Sequence, residues 1–273
     1  MRRGENRNLL LMVLPALIIG AAFFLLPLGR LIVVGGTGPL GLKAYAAVIT
    51  NPLYFKALIS TVALSVSVTA ATLAIASIAG VFLERNTFRG RDVLISLLTL
   101  PLAFPGVVVG FMVIMLGGRT GLLATASSAL GLGRLVFAYS MIGLFTGYIY
   151  FSIPRVILTI MAAAEKLDPA LEEAARSLGA GRWQVVRDVM LPGLAPALLA
   201  SGAMCFATSM GAFGTAFTLA TDIQVLPIVI YTEFTLLANI STAAALSIVL
   251  GLITWLTLAA SRGLAGATAA AAG

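Results

Sequence analysis

The chain has 273 residues, of which 60% are hydrophobic and only 10% charged, with a mean hydropathy of +1.08. Such a composition lies outside the range of water-soluble domains and describes an integral membrane protein. There is no histidine, a single cysteine at Cys205, and a net charge of +7, so imidazole chemistry and an intrachain disulfide are both excluded.

Six apolar windows follow one another along the chain, at residues 9–34, 57–83, 93–118, 135–154, 193–221 and 234–261. Each is long enough to cross a bilayer core as a helix, which takes about 20 apolar residues. They are continuously apolar rather than alternating, which argues for helices and against a β-barrel. The expected fold is therefore all-α, a six-helix transmembrane bundle.

The first window follows Arg2, Arg3 and Arg7 and is too long for the apolar stretch of a typical signal peptide, so it is read as a retained helix. The third holds Pro101, Pro105, Gly106 and Gly110, which would free backbone groups midway along it. The fifth holds a small, weakly polar patch at Ser209, Gly211, Gly214 and Thr215. Pro105, Gly106 and these four residues are the candidates for a solute pathway. Close helix packing through small residues explains the same pattern. Arg30 is the single charge inside any window, and none contains Asp or Glu. A proton relay through intramembrane acids and a strong substrate site within the chain are therefore not expected.

Basic residues set the orientation, because Lys and Arg collect in cytoplasmic loops. With the N-terminus inside, the cytoplasmic segments contain Arg2, Arg3, Arg7, Arg85, Arg89, Arg91, Arg155, Lys166, Arg176, Arg182, Arg187 and Arg262. The external segments contain Arg30, Lys43, Lys56, Arg119 and Arg134. Both termini are expected in the cytosol. Sorting across a bilayer accounts for the positive charge without nucleic acid. The Ala/Gly-rich tail, 263–273, is expected to be disordered.

Between the fourth and fifth windows lies the chain's most charged loop, DPALEEAARSLGAGRWQVVRDVMLP, residues 168–192. Asp168 followed by Pro169 reads as a helix N-cap and first turn, and Gly179 as the left-handed residue that ends the helix. A second short helix is expected over 182–189. Leu171, Ala174, Ala175 and Leu178 fall at i, i+3, i+4 and i+7, an apolar stripe with small residues at its centre. Such a stripe suits either a protein partner or the lipid surface. Trp183 and Leu191-Pro192 could anchor the loop to the bundle, and a tryptophan at this depth equally suits the headgroup layer.

The loop also carries a resemblance. Glu173-Ala174-Ala175, three residues, Gly179, nine residues, Val189, one residue and Leu191-Pro192 resemble the EAA loop (E-A-A-x3-G-x9-I-x-L-P) of permease subunits from binding-protein-dependent type I ABC importers, with Val189 at the usual isoleucine. The stretches NPLYFKALISTVALSV (51–66) and LPLAFPGVVVGF (100–111) resemble the transmembrane core of that family. SMGAFGT (209–215) and LPIVIYTEF (226–234) resemble its polyamine, aminoalkylphosphonate and ferric-iron branch.

The resemblance implies a MetI-like fold in a bacterial inner membrane. It implies one permease domain over 1–262, with its core at about 57–262 and a coupling loop at 165–192. The implied partners are a dimer of cytosolic ABC ATPases, a second permease subunit of the same or a related kind, and an extracytoplasmic solute-binding protein. ATP would be bound by the ATPase, leaving no catalytic residue, metal or cofactor in this chain. The coupling residues would be Leu171, Glu173, Ala174, Ala175, Leu178 and Gly179, with Glu173 meeting polar or basic ATPase groups. Polyamines lead the implied substrates, followed by 2-aminoethylphosphonate and ferric iron. A secondary carrier or channel would share the topology.

Overall fold

The computed structural model describes residues 12–219 and 223–272, with side chains as far as 263. Arg2, Arg3 and Arg7, the start of the first window and the end of the fifth lie outside the described residues. Twelve helices are used below: α1 (Met12–Gly36), α2 (Lys43–Thr50), α3 (Pro52–Arg85), α4 (Arg91–Thr99), α5 (Gly106–Gly117), α6 (Leu122–Ala129), α7 (Met141–Glu165), α8 (Pro169–Ser177), α9 (Arg182–Met210), α10 (Gly214–Leu219), α11 (Leu226–Leu236) and α12 (Ile240–Ala272). No strand occurs among the described residues. Six segments are long and apolar enough to cross a membrane: α1, α3, the α5–α6 segment, α7, α9 and the part of α12 up to Gly263.

The helices differ from the windows in physically interpretable ways. The third window does not form one helix. A 3-10 turn at Leu100–Ala103 closes α4, and Phe104 and Pro105 are extended, with ψ of 135° and 151°. Proline forces its predecessor out of the helical region, so the span begins afresh at Gly106. The fourth window was bounded at Pro154, yet α7 continues to Glu165 with Pro154 inside it and buried. That extension places Arg155 within a span instead of in a cytoplasmic loop. The separate short helix expected over 182–189 is instead the start of α9. A π segment at Val186–Met190, in which the Leu191 N–H bonds the Val186 carbonyl, carries the helix past Pro192, which has no N–H to donate. The Ala/Gly tail, expected to be disordered, continues α12 to Ala272; alanine is the strongest helix former.

Where one domain over 1–262 is expected, the chain divides into two compact units, with boundaries inside α3, α11 and α12 rather than in a linker. Among the described residues, one unit comprises residues 12–55 with Val229–Gly251. In it the Tyr45 hydroxyl donates to the Ile32 carbonyl at 2.5 Å. Glu233, only 6% exposed, accepts from the Tyr54 hydroxyl at 2.7 Å and from the Asn239 amide at 3.1 Å. The Asn239 backbone N–H also bonds the Glu233 carbonyl at 2.7 Å, bracing the turn between α11 and α12. A buried carboxylate is thus present, one residue outside the window at 234–261.

The other unit holds the described residues of 56–228 and 252–272. Its core joins Leu64, Val68 and Leu83 of α3 to Leu144, Val156, Ile157 and Ile160 of α7, with Cys205 of α9 and Leu219 of α10. Cys205 is buried, in keeping with a packing role. The Leu226 N–H donates to the Thr61 hydroxyl at 2.7 Å, and that hydroxyl donates to the Ala57 carbonyl at 2.7 Å, tying the start of α11 to α3. Most large apolar side chains on the outer faces remain exposed, as lipid-facing surfaces require.

Candidate functional site

The loop between α7 and α9 is built as its sequence dictates. The Asp168 carboxylate accepts from the Ala170 N–H at 2.9 Å, capping α8, and Pro169 takes the first helical position. At the other end Gly179 has φ +87°, its N–H bonds the Arg176 carbonyl at 3.0 Å, and the Ala180 N–H bonds the Ala175 carbonyl at 3.0 Å. Those two bonds form a Schellman motif, which needs a residue that accepts positive φ.

The stripe predicted on α8 faces outward. Leu178 is 89% exposed and Leu171 56%, Ala174 and Glu173 are also exposed, and Ala175 is half-buried. A helix of nine residues draws little stability from propensity alone. What holds it is an ion pair that the sequence reading missed: Arg85, at the end of α3, meets Glu172 at 2.9 Å and also donates to the Leu167 carbonyl at 3.0 Å. Arg176 approaches the other oxygen of Glu172 at 3.6 Å. Leu167 in turn packs on Gly193 so closely that a Cβ there would lie 3.0 Å from its methyl carbon. Trp183 is 72% exposed and Leu191 is exposed as well, whereas Val185 is buried.

Five of the six pathway candidates converge. Gly106, Ser209, Gly211, Gly214 and Thr215 line one cavity of about 400 Å³, together with Val107, Tyr148, Phe151, Ser152, Arg155 and Thr208. Pro105 is not among the lining residues and serves as the N-cap of α5. The same small residues also pack helices, so the two readings of the sequence coincide. The Thr215 hydroxyl donates to the Gly106 carbonyl at 2.9 Å, and a Cβ on Gly110 would meet the Thr218 Cβ at 2.6 Å, so α5 and α10 touch backbone to side chain. The Tyr148 hydroxyl donates to the Ala212 carbonyl at 2.5 Å. Arg155 is the charged residue in this lining, its guanidinium 5.9 Å from the Phe151 ring centre.

Apolar spans, a rigidly capped but uncovered loop helix and a small-residue cavity between helices define a multi-pass membrane permease subunit. The chain belongs to the family described as the binding-protein-dependent transport system inner membrane component, whose model matches residues 73–267. It is a permease subunit of an ABC importer, with the MetI-like fold, and a component of the inner membrane. It is 30% identical over 268 residues to PhnU of Salmonella typhimurium, a permease protein named for 2-aminoethylphosphonate transport, covering 94% of this chain and 93% of that one. It is 34% identical over 187 residues to the molybdenum transport system permease protein ModB of Escherichia coli K12, covering 67% of this chain and 81% of that one. A chain of a bacterial alginate ABC transporter, solved in complex with an alginate pentasaccharide-bound periplasmic protein, shares the fold with a TM-score of 0.79 at 19% identity, covering 97% of this chain and 96% of that one.

Proposed function

We propose that this permease forms the solute pathway at the cavity between α5, α7, α9 and α10, and is driven by an ATPase dimer that seats on α8. The observation that carries the coupling reading is the outward stripe of Leu171, Ala174 and Leu178 on a helix whose other side is pinned by Arg85 and Glu172. A short helix capped at both ends, braced on one side and bare on the other is suited to transmit a push from a protein partner. Leu171, Ala174, Ala175 and Leu178 supply the buried contact in this reading. Glu173 faces polar or basic ATPase groups, and Gly179 permits the turn. ATP stays with the ATPase; a second permease subunit completes the pathway, and an extracytoplasmic binding protein delivers the solute. Loss of Arg155 from the cytoplasmic set leaves the loops on that side the more basic, so the termini remain assigned to the cytosol.

The solute is a small oxyanion, with an aminoalkylphosphonate ahead of molybdate. Support comes from a relative named for 2-aminoethylphosphonate that aligns over nearly the full length of both chains. The polyamine reading drawn from SMGAFGT and LPIVIYTEF yields to it, because the described residues that line the cavity include no carboxylate to attract a polycation. Uptake of radiolabelled 2-aminoethylphosphonate, molybdate and putrescine in strains with and without this gene tests the assignment. Deletion is expected to remove uptake of an oxyanion and leave putrescine untouched. Loss of putrescine uptake alone would overturn it.

A further inference from the structure

Arg155 stands ten residues before the end of α7, about 15 Å along the helix axis at 1.5 Å per residue. An arginine within an apolar span is costly to insert, so it persists where it faces a cavity or a partner and marks a site. No ion pair forms on Arg155 among the described residues, and its guanidinium lies over the face of Phe151. It is a cation facing a cavity whose described lining residues include no carboxylate.

A second, independent feature lies in the same lining. Ser209 is 3% exposed, and its hydroxyl has no hydrogen-bond partner among the described residues. A buried hydroxyl left unsatisfied is unfavourable, so the group calls for an acceptor that the described residues do not supply. A third feature is the start of α5. That helix runs for 12 residues, no side chain caps it, and its first two residues, Gly106 and Val107, line the cavity. The opening amides of a helix are donors without intrahelical partners and carry the positive end of the helix dipole. Tyr148 does not belong to this set, because its hydroxyl is already committed to the Ala212 carbonyl.

A guanidinium, a free hydroxyl and a helix N-terminus are all donors, and an oxyanion is the ligand that answers all three. We propose that Arg155, Ser209 and the first turn of α5 form an anion way station inside the permease, which receives the phosphonate or other oxyanion group of the solute during passage. The proposal rests on the oxyanion reading of the substrate. Arg155 supplies a charge-assisted, forked contact, the Ser209 hydroxyl a single donor, and Gly106 and Val107 the amide end of α5. At about 400 Å³ the cavity suits a small solute. With one charge and few donors the site holds an ion loosely enough to release it, as a pathway requires.

The test uses the whole transporter, reconstituted in vesicles with its ATPase and binding protein, and radiolabelled 2-aminoethylphosphonate and molybdate as probes. Loss of a hydrogen bond to a charged group corresponds to about tenfold or more, so Arg155→Gln should lower uptake by that factor, Arg155→Lys by less, and Ser209→Ala by about threefold. Stoichiometric co-purification of the ATPase with each variant shows that the fold is kept. A readout independent of transport is the reactivity of Thr208→Cys in a Cys205→Ala background. The rate ratio of an anionic to a cationic methanethiosulfonate should drop about fivefold on adding Arg155→Gln, as expected for removal of one nearby charge. If the wild type carries neither anion, the substrate reading fails whatever the variants do. If it carries one, and Arg155→Gln carries it equally well with an unchanged reagent ratio, the way station alone is overturned.

Discussion

Gly179→Pro is expected to lower solute uptake by at least tenfold while the protein still inserts in the membrane. Proline holds φ near −65° where the loop has +87°, and it removes the N–H that bonds the Arg176 carbonyl at 3.0 Å. A side chain in the left-handed region costs about 1–2 kcal/mol, and the lost hydrogen bond adds roughly 1 kcal/mol. Each 1.4 kcal/mol is a factor of ten in an equilibrium. The nine-residue helix α8 has little buried apolar surface with which to offset that loss. Gly179→Asn separates backbone geometry from mere side-chain bulk, since asparagine enters the left-handed region readily and no atom lies within 4 Å of a Cβ built there. Uptake near wild type with Asn and lost with Pro is the predicted pair. Equal uptake by Gly179→Pro and wild type would show that the capped turn has no part in coupling.

The second large effect belongs to the brace under the loop. Arg85 and Glu172 are 2.9 Å apart, with side chains 24% and 12% exposed, so their pairing lies between the surface and buried regimes. Surface pairs contribute about 0.2–1 kcal/mol, whereas breaking a buried pair costs about 3–5 kcal/mol. Reversing one charge should therefore disfavour the docked loop by about 2 kcal/mol, enough to lower uptake more than tenfold. Glu172→Arg or Arg85→Glu alone should show this loss. The double reversal should recover most of it, short of wild type because Arg85 also holds the Leu167 carbonyl. A double variant as poor as either single would mean that the pair does not position α8.

The fate of individual prolines explains where the sequence was readable and where it was not. Six spans were legible because length and continuous apolarity are strong signals, but two limits, the end of the fourth window at Pro154 and the start of the fifth after Pro192, fall at prolines, and a proline in a membrane helix is an ambiguous mark. Pro154 and Pro192 lie within continuous helices, whereas Pro105, following the turn at Leu100–Ala103, does separate α4 from α5. Ending a window at Pro154 placed Arg155 outside the membrane by one residue, and that hid the charged member of the cavity. Glu233 escaped in the same way at the edge of another window.

The caps of α8 were legible because Asp-Pro and Leu-Gly have local causes. The outward stripe was legible from helical spacing. Glu172 was not, because its partner Arg85 is far away in the sequence and the motif draws attention to the neighbouring Glu173. Gathering of Gly106, Ser209, Gly211, Gly214 and Thr215 about one cavity could be suspected from composition alone. The unpartnered hydroxyl of Ser209 required three-dimensional structure.

The exposed stripe of α8 suits either a protein partner or a lipid surface, and coupling requires the protein. A photo-reactive benzoylphenylalanine in place of Leu178, irradiated in membranes containing the assembled transporter, reads this contact directly. The predicted result is a covalent adduct of permease with ATPase, which disappears when Gly179→Pro is added. Adducts with lipid alone, in membranes where the ATPase is present and active, would contradict coupling through this helix.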